Sequence, residues 1–253
     1  MTHALTQSAT INCWSCGSQN QAHCQLCTSC GKLLPPVDVD YFALFGLPRR
    51  LALDVPALEK QFYRLSRRLH PDLYAQASEQ ERRWSLEKSS LLNDAWRTLR
   101  DPIARTEYLL ELEGITLEEQ SRDATDAARA AGTDKQQIVP PDMLEEVFEL
   151  NMQLEEVRMA AQGNSSDPEL MENLRIAEKN YSAQMVALHT QLEQLWGRWD
   201  RAQASGDATE QSMAKQGMVA LLNRRSYIRN LVRDVRQALD GTAWISNGTT
   251  GKG

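Results

Sequence analysis

Between residues 58 and 69 the chain carries Leu58, Phe62, Leu65 and Leu69 at i, i+4, i+7 and i+11, and Pro71 follows two residues later. That spacing places four apolar side chains on one face of an α-helix. Pro71 cannot continue the helix, and it restricts the residue before it to extended geometry. The helix must therefore end in an exposed loop, His70-Pro71-Asp72. Its start is marked by Asp54 two residues ahead of Pro56, a good N-terminal pair. The face opposite the apolar stripe carries Lys60, Arg64 and Arg67 at i, i+4 and i+7, with Arg68 beside them and no acid in the run. Such a basic face is either simply solvated or built to meet an acidic surface.

The rest of the chain reads with the same period. Trp84, Lys88, Leu92, Ala95 and Leu99 trace a second helix, with Trp96 beside the stripe. Asp101-Pro102 ends it and opens a short helix through Tyr108-Leu109-Leu110, which Gly114 closes. Beyond an alanine- and charge-rich connection come three long amphipathic helices: from about Asp142 to Ala161, from Asp167-Pro168 to about Ala202, and from about Ala208 to Leu239, stopped by Gly241. Short breaks between long helices imply antiparallel neighbours. The expected fold class is mainly α. Its parts are a cysteine-bearing segment (1–37), a helical hairpin with flanking helices (38–113), a linker (114–141), an antiparallel three-helix bundle (142–240) and a frayed tail (241–253). No strand-like alternation appears outside the N-terminal segment, and no repeat of fixed period is present.

Charge excludes one broad class. With 28 basic and 34 acidic residues the net charge is −6, so the whole chain is no nucleic-acid binder by bulk electrostatics. No apolar run approaches the roughly 18–20 residues that a bilayer requires. The first residues, MTHALTQSATINCW, have neither a basic region nor an apolar core, nor any arginine, so neither a secretory nor a mitochondrial leader is expected. The expected compartment is the cytoplasm.

All five cysteines fall between Cys13 and Cys30. Tight pairing suits a metal in a reducing compartment better than a disulfide framework. Cys13-Trp14-Ser15-Cys16-Gly17 and Cys27-Thr28-Ser29-Cys30-Gly31 share the pattern CxSCG. Two residues between cysteines let both thiolates reach one ion, and the glycine permits the turn that aims backbone N–H groups at sulfur. Zinc held by Cys13, Cys16, Cys27 and Cys30 in a knuckle or ribbon is the expected reading. Cys24 also forms C-x2-C with Cys27, so Cys24 or His23 remains an alternative ligand. Four protein ligands leave no open position, which makes the zinc structural.

The run YFALFGLPRRLALDVPALEKQFYRLSRRLHPD, followed by LLNDAWRTLRDPIARTEYLL, resembles the J-domain of the HscB family, co-chaperones of iron–sulfur cluster assembly. The match spans residues 40–113 in order. Tyr41-Phe42-x-Leu44-Phe45-Gly46-Leu47-Pro48 resembles the family's opening, and Asn93-x-Ala95-Trp96-x-x-Leu99-x-Asp101-Pro102 its third helix. The resemblance implies that the chain docks on a DnaK- or HscA-type ATPase. His70, Pro71 and Asp72 would trigger hydrolysis, while Lys60, Arg64, Arg67 and Arg68 steer the encounter. The chain would itself be no enzyme.

The bundle resembles the HscB C-terminal domain more loosely, beginning at LEEVFELNMQLEE. The resemblance implies that an IscU-type scaffold protein is bound by Leu144, Phe148, Glu149 and Glu156 on the first bundle helix and by Leu221 on the last. Read from the residues alone, Leu144 and Phe148 at i, i+4 are either an exposed contact or bundle core. The arginines 224, 225, 229, 233 and 236 either pair with the acids of the first helix or face a partner. Met152 stands where the family commonly has an acid, and Glu145 where it commonly has an apolar residue. Two rivals have specific requirements. A general J-protein needs a Gly/Phe linker or CxxCxGxG repeats, which are absent. A zinc-ribbon nucleic-acid binder needs basic residues among the cysteines, where Lys32 is the only base between Met1 and Arg49.

Overall fold

The computed structural model describes residues 10–115, 117, 141–162 and 167–248. The expected linker 114–141 therefore lies almost wholly outside the described residues, as do the start of the cysteine segment, most of the QGNSS break and the last five residues. The chain is mainly α. Strands β1 (Thr10–Asn12) and β2 (Gln19–Gln21) form a two-stranded antiparallel ribbon. Helices α1 (Tyr41–Leu44), α2 (Val55–Leu69), α3 (Glu79–Arg100) and α4 (Pro102–Leu112) follow. Then come α5 (Leu144–Gln162), α6 (Pro168–Ser205) and α7 (Ala208–Gly248).

The chain divides by compactness into two units. One holds residues 1–116 together with Trp196–Glu210, the other 117–195 with Gln211–Gly253. This cuts the chain elsewhere than the expected 37/38 and 141/142 boundaries. The cysteine segment shares a unit with the hairpin, and so does the turn joining α6 to α7.

In the first unit α2 and α3 form an antiparallel hairpin. Phe62 stacks on Trp96 at 5.2 Å, and the end of α2 meets the start of α3. Asp54 caps α2 by accepting from Ala57 N, and Ser78 and Glu81 close a capping box at the start of α3. Asp101 accepts from Ile103 N and Ala104 N, which starts α4. Gly114, at φ +79°, turns the chain out of α4. Leu58, Leu69, Leu92, Leu99, Leu109 and Leu110 are all buried. The α6–α7 turn belongs here for specific reasons. The Trp196 indole N–H donates to Thr106 Oγ1 at 2.9 Å, and Asp200 accepts from Leu51 N and Ala52 N at 2.9 and 3.0 Å.

In the second unit α5, α6 and α7 share one core, with Val147, Leu150, Leu154, Leu174, Tyr181, Ile228 and Val235 buried. Ion pairs tie the helices together: Arg224 to Asp142 ahead of α5, and Arg236 to Glu178 on α6. The first is a pairing of the arginine run with an acid expected on the first bundle helix; the second goes instead to the middle helix. One expectation fails. The last helix was to stop at Gly241, with a frayed tail after it, but α7 continues to Gly248. A lone exposed glycine costs a helix only about 1 kcal/mol, too little to stop it without a cap or proline beyond.

Candidate functional site

The cysteine segment is two copies of one turn, offset by fourteen residues. Cys13 N donates to Ser18 O at 2.9 Å and Gly17 N to Cys13 O at 2.9 Å; Cys27 N donates to Lys32 O at 2.8 Å and Gly31 N to Cys27 O at 3.0 Å. Gly17 and Gly31 close the turns at φ +73° and +72°, a region that only glycine enters freely. The turns aim their thiols at one point. Cys13, Cys16, Cys27 and Cys30 place their sulfurs within 4.8 Å of one another. The Cys13–Cys30 and Cys16–Cys27 separations are both 3.6 Å. Four thiolates about 2.3 Å from a tetrahedral zinc stand about 3.8 Å apart, so the donor set fits that ion.

Cys24 is outside the set and packs half-buried against the cluster of Cys13, Cys27 and Leu34. His23 is outside it too, its ring lying beside Gly46. The crowded sulfurs shift one another's acidity. The Cys30 N–H, with further help from Ser29 N–H and Asn20, holds Cys27 down to about 6. Cys30 goes the other way, to about 12: the Lys32 N–H favours its thiolate, but burial and the neighbouring sulfurs outweigh it. Four thiolates cannot share that space without positive charge between them. Asn20 was not anticipated. It is buried, accepts from Thr28 N and Thr28 Oγ1, and donates to Cys27 Sγ, so it orients the second turn.

The HPD loop follows α2 directly. His70 ends α2 and, through its Nδ1, accepts from Asp72 N at 3.3 Å, with its side chain about half exposed. Leu73 N donates to His70 O, and Tyr74 Oη donates to Arg68 O at 3.1 Å. Pro71–Tyr74 is thereby one turn of 3₁₀ helix, with Asp72 almost fully exposed. Lys60, Arg64, Arg67 and Arg68 are exposed on α2, and none forms an ion pair among the described residues. Ser85 and Ser89 of α3 both donate to Leu69 O, at 2.7 and 2.9 Å. The sequence signal for these two is a pair of hydroxyls on the buried side of α3, where its period calls for apolar residues.

On α5 the structure separates two apolar stripes. Met143 just ahead of it and Val147, Leu150, Leu154 and Val157 on it face the core. Leu144 and Phe148 are 56 % and 67 % exposed, and Met152 and Met159 are exposed with them. At about 100° per residue these four share an arc of about 80°. Glu149 and Glu156 are exposed along its border, with Glu145. Leu221 differs: on α7 it is half-buried against the bundle core.

No protein-family model matches the chain. It is 32% identical over 183 residues to the iron–sulfur cluster co-chaperone protein HscB of Mus musculus, covering 71% of this chain and 70% of that protein. It is 34% identical over 157 residues to the co-chaperone protein HscB homolog of Vibrio cholerae serotype O1, covering 62% of this chain and 84% of that one. Among solved structures, the chaperone HscB from Vibrio cholerae superposes with a TM-score of 0.50 at 28% identity, covering 80% of this chain and 98% of its own. The human co-chaperone HscB superposes with a TM-score of 0.55 at 23% identity, covering 90% and 98%, and shares the fold.

Proposed function

The chain belongs to the HscB family of iron–sulfur cluster co-chaperones, and from that we propose that its HPD loop stimulates a DnaK- or HscA-type ATPase while α5 presents an IscU-type scaffold protein as client. The observation that carries this reading is the pairing of an exposed, internally hydrogen-bonded His70-Pro71-Asp72 turn with a basic helix whose exposed charges form no ion pair among the described residues. Unpaired Lys60, Arg64, Arg67 and Arg68 raise the on-rate to an acidic surface and fix the approach. Once docked, the hydrogen-bonded turn offers the exposed His70 imidazole and Asp72 carboxylate to the ATPase. Hydrolysis happens in the partner, and the chain acts as its activator, not as an enzyme.

On α5, Leu144, Phe148 and Met152 supply an apolar centre for the scaffold, with Glu149 and Glu156 as its rim. That is the composition of a docking surface: an apolar core with charge at the edge. Leu221, half-buried, contributes a border at most. Zinc, when bound by Cys13, Cys16, Cys27 and Cys30, supplies only a cross-link between the two turns. The free thiolates it requires suit a reducing compartment, the cytoplasm. No helix among the described residues is long and apolar enough to cross a membrane, and neither membrane nor nucleic acid belongs to this reading.

A steady-state ATPase assay with the cognate chaperone tests the first half. The chain should stimulate turnover, and His70→Gln should abolish the effect. Equal stimulation by the variant removes the proposal. Capture of the scaffold protein by the purified chain tests the second half, and Leu144→Ala with Phe148→Ala should eliminate it.

A further inference from the structure

The cysteine segment is mechanically linked to the HPD loop. Lys32, two residues past Cys30, pairs with buried Glu81 at 3.2 Å, and Glu81 is the residue that closes the α3 capping box. Gln25 Oε1 accepts from the buried Lys88 amine at 2.8 Å. Trp14 meets Trp84 edge to face at 6.1 Å. All three partners lie in the first three turns of α3. The same turns carry Ser85 and Ser89, whose hydroxyls converge on Leu69 O.

Leu69 O is one of the carbonyls left without a helical amide where α2 ends. It shares a rigid peptide plane with the nitrogen of His70. Two hydroxyls fixing that carbonyl therefore fix the plane from which His70 departs. A mid-helix serine ordinarily bonds back to its own helix, whereas both of these reach across to α2. The first half of α3 buries polar groups, Glu81, Ser85 and Lys88, and only beyond Ser89 does its buried face become apolar, with Leu92, Ala95 and Leu99.

We propose that the cysteine segment is a positioning element for the HPD loop: Gln25 and Lys32 set the first turns of α3, and Ser85 and Ser89 transmit that setting to the Leu69–His70 peptide. This rests on the ATPase-stimulating reading. It gives the metal site a role in the trigger, because Lys32 closes the second cysteine turn and Gln25, between the two turns, accepts from Leu34 N just beyond it.

The test uses the full chain, the cognate ATPase chaperone and two double variants, Gln25→Ala with Lys32→Ala and Ser85→Ala with Ser89→Ala. Loss of hydrogen bonds at buried sites should lower maximal stimulation about ten-fold in each. The half-saturating concentration should stay unchanged, because the basic stripe is intact. Amide exchange at Leu73, whose N–H bonds His70 O, should quicken in both variants while the melting curve stays cooperative. Ser89→Thr, which keeps the hydroxyl, should retain stimulation. Full maximal stimulation by either double variant overturns the proposal. So does a loss explained wholly by weaker half-saturation or by unfolding. A wild-type chain that stimulates nothing overturns the functional reading beneath, and exchange at Leu73 then still decides whether the segment positions the loop.

Discussion

Phe148→Ala separates binding from folding on a single helix. Phe148 is 67 % exposed, whereas Leu150, two residues on, is 3% exposed. An aromatic side chain buries about 200 Å², so about 130 Å² of Phe148 remains for a partner to cover. At about 25 cal/mol per Å² that is about 3 kcal/mol, or roughly a hundred-fold in Kd as an upper figure. Ordering costs at an interface reduce it, so a weakening between about ten- and a hundred-fold is expected. Truncation should leave unfolding within about 0.5 kcal/mol of wild type, as at other exposed sites. Leu150→Ala should do the reverse, costing about 2–5 kcal/mol of stability through the cavity it opens. Calorimetric titration with the scaffold protein and thermal unfolding of all three proteins read both quantities. If Phe148→Ala destabilises the chain as Leu150→Ala does, or leaves Kd unchanged, the division of α5 into two stripes is refuted.

Metal analysis should find full zinc occupancy in Cys24→Ser and loss of zinc in Cys16→Ser. Zinc should also be released as pH falls, because protons compete for the thiolates. Asp200→Ala strips two backbone N–H groups, those of Leu51 and Ala52, of their acceptor and should lower stability by about 1–3 kcal/mol in thermal unfolding. Burial holds the Lys88 amine down to about 8 against an ordinary 10.5. Between those values the unfolded chain binds a proton that the folded chain does not. Stability should therefore rise with pH across that window, by up to about 3 kcal/mol relative to Lys88→Met, in denaturant titrations of the two proteins. An identical pH profile for both would show that Lys88 is not desolvated.

What could be read beforehand is what local chemistry dictates. Pro71 ends α2, Asp101-Pro102 divides α3 from α4, and the CxSCG pairs fold into matching turns, because each depends on residues a few positions apart. Leu144 and Phe148 could not be assigned by period, since α5 carries a second apolar set, Val147, Leu150, Leu154 and Val157, with equally good helical spacing. Only the presence of α6 and α7 decides which set is covered. Nor does any short-range pattern reveal that Trp196 and Asp200, within one uninterrupted helix, serve the first unit through Thr106, Leu51 and Ala52. Ser85 and Ser89 are visible as polar interruptions of a buried face, but their common acceptor lies on another helix.

The two surfaces offered to partners rest on one physical compromise. Arg64, Arg67 and Arg68 form no ion pair among the described residues, and Leu144, Phe148 and Met152 are exposed, so each surface forgoes stability that a closed fold would take. Exposed apolar stripes also invite self-association. On α5 the acids Glu145, Glu149 and Glu156 border the stripe and repel the same stripe on a second copy. A partner with an apolar and basic face meets no such repulsion. The same acids therefore disfavour pairing of the stripe with itself while leaving it open to such a partner. Neutralising them, Glu149→Gln with Glu156→Gln, should raise self-association in sedimentation measurements while weakening scaffold binding. A gain in scaffold affinity would refute their place at the rim.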